Sequence, residues 1–181
     1  PAIIPFVLEV LEDTKYRERG YLMLGLSLMC DSLFYSERVS YMRLALKTFE
    51  AIKQGFPLYK RLIDDSEQET RLYTVIVLGW MQDDASEVVD VLLERLKIET
   101  DEEVRIEIIK RTIHLIYNGL SIYAGKGMES IRALYDFVKD CDSFDEKLIY
   151  VQELANLHFG HDKDINVFME KTLLHAKKDN E

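Results

Sequence analysis

Prolines are scarce in this chain of 181 residues: Pro1, Pro5 and Pro57 are all there are, and none follows Pro57. Only eight glycines are scattered along it. With so few breakers, helix is available to the backbone almost throughout. No segment alternates apolar and polar residues with period two over a strand's length, which excludes an extensive sheet. The two cysteines, Cys30 and Cys141, lie far apart in helix-like contexts, so no disulfide framework organises the chain. They read as reduced, partly buried thiols of an intracellular, cytoplasmic protein. No run approaches the roughly 18 to 20 apolar residues of a membrane span. The N-terminus has neither the basic flank nor the cleavage site of a signal peptide.

Catalytic signals are equally sparse. No nucleophile elbow and no Cys-His constellation is present. Gly125-Lys126-Gly127 precedes a helix-like segment but lacks the spacing and the Lys-Ser/Thr ending of a phosphate-binding loop, so it reads as a plain turn. His158 and His161, with Asp162 and Asp164, superficially resemble metal ligands. No cysteine or further histidine supports them locally, and a helix C-terminus favouring histidine is the plainer account. The expectation is a protein that is not an enzyme and takes no cofactor and no metal.

What the chain does contain is apolar residues, 48% of the total, and a pattern that recurs. An acid precedes an arginine, and Leu-Gly follows eight residues later: Asp13, Arg17 and Leu24-Gly25, then Asp65, Arg71 and Leu78-Gly79. A weaker copy begins at Asp101 and Arg105. Each copy stands where one apolar helical segment ends and a longer one begins, the mark of stacked helical hairpins that cover one another's open cores. The spacing predicts hairpins pairing 4–12 with 15–30, 57–63 with 67–82, 86–98 with 101–118, and 128–139 with 144–159. A separate helix over 37–54, with Val39, Met42, Leu46, Phe49 and Ile52 at helical spacing, is closed by Gly55. A final helix covers 164–177, and the tail at 178–181 frays. The total is about nine to ten helices. Gly79, Gly119 and Gly160, read as stops, are 40 and 41 residues apart, whereas Gly25 and Gly79 are 54 apart. The extra helix therefore interrupts the array once.

This pattern resembles HEAT repeats, especially the short HEAT-like variety of the phycobilisome-lyase type. The match covers 3–26 and 56–118, and more weakly 127–160, where Lys147 stands in place of the arginine. The resemblance implies an all-α fold, a right-handed α-solenoid of stacked antiparallel hairpins, with 1–181 as a single domain. It also implies that the acid caps the second helix of each unit while the arginine bridges adjacent units. Those structural roles fall on Asp13, Arg17, Gly25, Asp65, Arg71, Gly79, Asp101 and Arg105. Independently of any family, an acid at a helix start accepts from orphan N–H groups and suits the dipole. Segment 4–12 is apolar on almost every side, through Ile3, Ile4, Phe6, Val7, Leu8, Val10 and Leu11. Two expectations stay open for it: a fragment of a longer array, or cover by another subunit.

The net charge of −10 belongs to one stretch. Residues 62–107 hold four basic and fourteen acidic side chains, against nine and seven in 1–61 and ten and twelve in 108–181. The acids gather at turns: Asp64, Asp65, Glu67 and Glu69; Asp83, Asp84 and Glu87; Glu99, Asp101, Glu102 and Glu103. They serve as helix-start acids and solubility, or else as a docking rim for a basic protein or peptide. A continuous nucleic-acid-binding face is disfavoured in either case. The second helices of such arrays line the concave face, where Arg71, Thr74 and Gln82, then Glu107, Lys110, Arg111, His114 and Asn118, then Tyr150, Glu153 and Asn156 form a candidate groove. Ten tyrosines favour recognition, and Trp80 reads as a packing anchor. The reading these features support is a non-catalytic protein-interaction scaffold. HEAT-like DNA-alkylation-repair enzymes have a related architecture, but they rely on a basic groove with tryptophans, and this chain has one tryptophan and an acidic middle. A one-to-one inhibitor or regulatory subunit of a basic partner would share the scaffold's chemistry.

Overall fold

The structure, a computed structural model, describes residues 1–13, 15–34, 39–120, 125–157, 159–160 and 162–178. Among the described residues there are ten α-helices and no strand, so the chain is all-α. It falls into two compact units, Pro1–Met81 and Gln82–Glu181.

The first unit holds α1 (Ile4–Glu12), α2 (Arg19–Phe34), α3 (Val39–Lys53), α4 (Phe56–Leu62) and α5 (Gln68–Leu78). Pro5 and Pro57 sit in the first turns of α1 and α4, where a missing N–H leaves nothing unsatisfied. The main packing is α2 against α5, with α4 also against α5 and α3 against α1 and α2. The Trp80 indole is buried and donates to Asp31 Oδ1 at 2.9 Å, which anchors the end of α5 on α2. Tyr59 is fully buried, and its hydroxyl donates to the Ile52 carbonyl. Burial, with Cys30 adding to it, pushes that phenol far above its ordinary pKa.

The pattern placed the start of α2 four residues too early. Asp13 accepts from the Lys15 amide at 2.9 Å and closes the turn after α1, so it does not cap α2. Helix α5 stops at Leu78 rather than 82, because the Trp80 and Met81 amides take three-residue bonds to Val77 and Leu78. Gly25 lies inside α2. On α1, Ile4 and Leu11 are buried within the chain, whereas Ile3 and Phe6 are exposed.

The second unit begins with a 3-10 turn at Gln82–Asp84, followed by α6 (Ala85–Leu96), α7 (Glu102–Gly119), α8 (Gly125–Asp140), α9 (Phe144–Asn156) and α10 (Lys163–Lys178). Helix α6 buries Ala85, Val88, Val89, Leu92 and Leu96, a spacing of three and four that lays one stripe along its axis. Each of these valines and leucines, taken fully from water, contributes about 1.5–3 kcal/mol before entropy is counted. Helix α7 packs on α6, α8 and α9; α6 also touches α8, and α9 touches α10. Gly119 ends α7 where the chain comes closest to the start of the unit. A Cβ there would lie 2.7 Å from the Gln82 carbonyl oxygen, so only glycine fits. Gly125, Lys126 and Gly127 are the first turn of α8 rather than a loop, and Lys126 pairs with Asp90 of α6.

Candidate interaction surface

Two bonds fix the register of α7 against α9. Asp101 caps α7 by accepting from the Val104 amide at 3.1 Å. Ser143 caps α9 in the same way, accepting from the Glu146 amide at 3.2 Å. Its hydroxyl also donates to Glu102 at 2.6 Å, across 41 residues. Three residues further along each helix, Arg105 Nη2 meets Glu146 at 2.8 Å, again across 41 residues. The Glu146 side chain is only 1% exposed, and the Arg105 guanidinium also lies 5.1 Å over the Phe137 ring. In the first unit the corresponding link is Arg19 to Asp65 at 2.8 Å, with Asp65 nearly buried.

The arginine roles implied by the repeat pattern therefore divide. Arg105 links α7 to α9 through Glu146. Arg17 is exposed, and Arg19, two residues on, makes the link instead. Arg71 folds back, donating to the carbonyls of Asp65 at 2.9 Å and Ser66 at 3.1 Å within its own turn. Asp65 accepts from the Glu67 amide at 2.9 Å, shaping the turn before α5, whose N-cap is Glu67.

Several residues singled out for partner binding prove to be structural. Thr74 is fully buried and donates to the Thr70 carbonyl. Tyr150 is fully buried, and its hydroxyl donates to the Ile131 carbonyl; burial first, then nearby Asp162, raises its pKa far beyond the usual phenol value. Glu99 points inward, holding Arg95 at 2.7 Å and accepting from the Thr100 and Asp101 amides at 3.0 Å. A carboxylate engaged on both oxygens inside its own turn offers nothing to a rim.

The residues that do reach solvent form two sets in the second unit. Along α7, Glu107, Lys110, Arg111 and His114 are half-buried and Asn118 is exposed. Arg111 donates to Glu107 at 2.6 Å, Lys110 lies 3.9 Å from it, and the Asn118 amide donates to the His114 carbonyl at 2.9 Å. Burial, and then the neighbouring Arg111, hold the His114 imidazole below its ordinary pKa. Both cations of this stripe share the one carboxylate of Glu107, which leaves it a net +1. On α9, Glu153 is half-buried and Asn156 exposed.

The second set is acidic. Glu102 and Glu103 at the start of α7 are exposed, and the Glu102–Ser143 bond brings the start of α9 beside them, with Asp142 and Asp145 also exposed. Asp83 and Glu87 are exposed at the start of the unit; Asp64, Glu67 and Glu69 are exposed in the first unit. Asp142 and Asp145 were not singled out in the sequence. Ser143-x-x-Glu146, a capping-box spacing, was the signal available for that turn.

His158 and His161 lie outside the described residues, as does the tail from 179. Asp162 is buried, accepting from the Asp164 and Ile165 amides and pairing with Arg132 at 2.7 Å. Among the described residues no three His, Cys, Asp or Glu side chains are grouped to hold a metal ion. None of the described helices is long and apolar enough to cross a membrane. Cys30 is buried, Cys141 is half-buried, and neither forms a disulfide among the described residues. Burial first, then Glu146, raises the Cys141 thiol's pKa, which disfavours the reactive thiolate. No protein-family model matches this chain, and neither a curated protein nor a solved structure does.

Proposed function

We propose that this protein is a non-catalytic interaction scaffold, a HEAT-like solenoid that binds a basic protein or peptide along an acidic edge. The observation that carries the binding half is the outward-facing set Glu102, Glu103, Asp142 and Asp145, joined across two turns by the Glu102–Ser143 bond. Carboxylates brought to one edge from two turns raise the local concentration of a cationic partner and speed its encounter. The solenoid half rests on the 41-residue span of the α7–α9 links, which matches the 40 and 41 residues between Gly79, Gly119 and Gly160. The half-buried stripe Glu107, Lys110, Arg111 and His114, with Glu153 on α9, supplies hydrogen-bonding groups for the adjoining groove. The DNA-repair reading draws no support from Trp80, whose indole is buried and engaged with Asp31.

The test uses only the exposed acids. Glu102→Lys, Glu103→Lys and Asp145→Lys are combined in one chain, since reversing Glu99 or Asp101 would break the turn itself. Each replaced acid sits in a helix's first turn, so the variant should lose roughly 0.3–1 kcal/mol per site through the dipole, and about 1 kcal/mol more as Glu102→Lys removes the bond from Ser143. Helicity stays intact. Immobilised wild-type chain should retain a basic protein at low salt and release it at high salt, while the triple variant retains none. Equal retention by the variant, or co-purifying nucleic acid, rejects the acidic edge. One-to-one stoichiometry with a single partner would identify the inhibitor form of the same chemistry.

A further inference from the structure

A helix at a protein surface ordinarily turns polar residues outward, and α2 does not. No charged residue occurs from Gly20 to Cys30. Met23, Leu26, Ser27 and Cys30 fill its buried side. Tyr21, 67% exposed, and Leu28, 55% exposed, face outward beside Met29. Positions 21, 25, 28 and 32 fall on one line about 16 Å long at 1.5 Å per residue.

Gly25 sits in the middle of that line. A glycine inside a helix costs about 0.5–1 kcal/mol against alanine. Among the described residues nothing requires it: a Cβ added there meets no atom within 4 Å. The bare backbone between Tyr21 and Leu28 does leave room for a second helix to approach closely. At the N-terminal end of the line lies a cleft of about 350 Å³, walled by Arg17, Tyr21, Glu18, Glu67 and Glu69 among others. None of its three carboxylates has a basic partner among the described residues.

We propose that this line is a docking surface for an amphipathic helix of a partner protein. The partner's apolar stripe crosses α2 over Gly25, and a lysine or arginine at the end of the stripe enters the carboxylate-lined cleft. Charge complementarity fixes that orientation, and the Tyr21 ring offers the cation a further contact. An anionic lipid surface is the poorer occupant, because its headgroups would meet the same carboxylates. The surface lies wholly in the first unit, so it stands or falls independently of the acidic edge in the second.

The probe is a fluorescein-labelled helical peptide of roughly 16 residues, with leucines at i, i+3 and i+7 spacing and two arginines at one end. Its control carries glutamates in place of the arginines. The full chain should bind the arginine probe at least about 10-fold more tightly than the control, with added salt narrowing the gap. Gly25→Gln places a side chain in open space within a helix, so it should weaken binding about 10-fold while leaving the melting temperature unchanged or higher. Leu28→Asp should weaken binding similarly. Glu18→Gln with Glu69→Gln should abolish the preference between the two probes. Equal binding of both probes, or full binding by Gly25→Gln, overturns the proposal. So does a dimer seen by sedimentation that Gly25→Gln dissolves, which assigns the face to a second copy. Phosphatidylserine vesicles held by wild type and not by Gly25→Gln would likewise overturn it in favour of a membrane.

Discussion

At the scale of single residues, His114 is the group through which pH should act on this fold. Its imidazole is held below the ordinary value by burial and then by Arg111. In the unfolded chain the same group titrates near 6.5. Below that pH the unfolded state therefore binds more protons than the folded one, and stability falls as the solution is acidified. The stabilising contribution is present above 6.5 and is lost as pH drops toward the lower folded value. His114→Gln should flatten the stability profile below about pH 6.5. Urea midpoints across that range measure it, and an unchanged slope would assign the acid sensitivity to other groups.

At the scale of elements, the start of α9 is held by one cap and one buried ion pair, and these should differ in cost. Arg105→Met strands a carboxylate that is 1% exposed, and should lower the free energy of unfolding by about 3 kcal/mol. Ser143→Ala removes the cap and the bond to Glu102, and should lower it by about 1 kcal/mol. Chemical denaturation separates the two, and equal losses would mean that water already reaches Glu146. Most of these elements were legible in the sequence. The stripe from Ala85 to Leu96, the lone helix closed by Gly55 and the Asp101 cap all follow from local spacing. The start of α2 was not legible, because Asp13 satisfies its carboxylate in a turn before any helix begins, and Arg19 rather than Arg17 finds Asp65. Nor was the difference between Glu99 and Glu102. Both are acids beside one helix start, and only the three-dimensional position of Arg95 turns one of them inward. Tyr150 and Thr74 lie at the periodic positions of a groove, but packing directs their polar atoms to carbonyls inside the fold.

At the scale of the whole molecule, the excess of negative charge should appear as a dependence on salt. Residues 62–107 carry a surplus of ten acids over bases, equal to the net charge of the chain. Like charges at exposed turns repel within a Debye length of about 10 Å at 0.1 M salt. The melting temperature should therefore rise with sodium chloride from low to moderate concentration. Glu102→Lys with Glu103→Lys should reduce that rise. A melting temperature indifferent to salt would mean that internal pairs such as Arg95–Glu99 already balance the field. Because the bonds from Glu102 to Ser143 and from Arg105 to Glu146 both span 41 residues, copying residues 102–142 in tandem would set Glu102 against a second Glu102 and Arg105 against a second Arg105 at the new junction. A residue inserted in the connections between these helices would be absorbed there and leave both bonds in place. Genetic change in such a chain is thus filtered by charge: a copied block stacks on its original only after the two copies have diverged into acid and base.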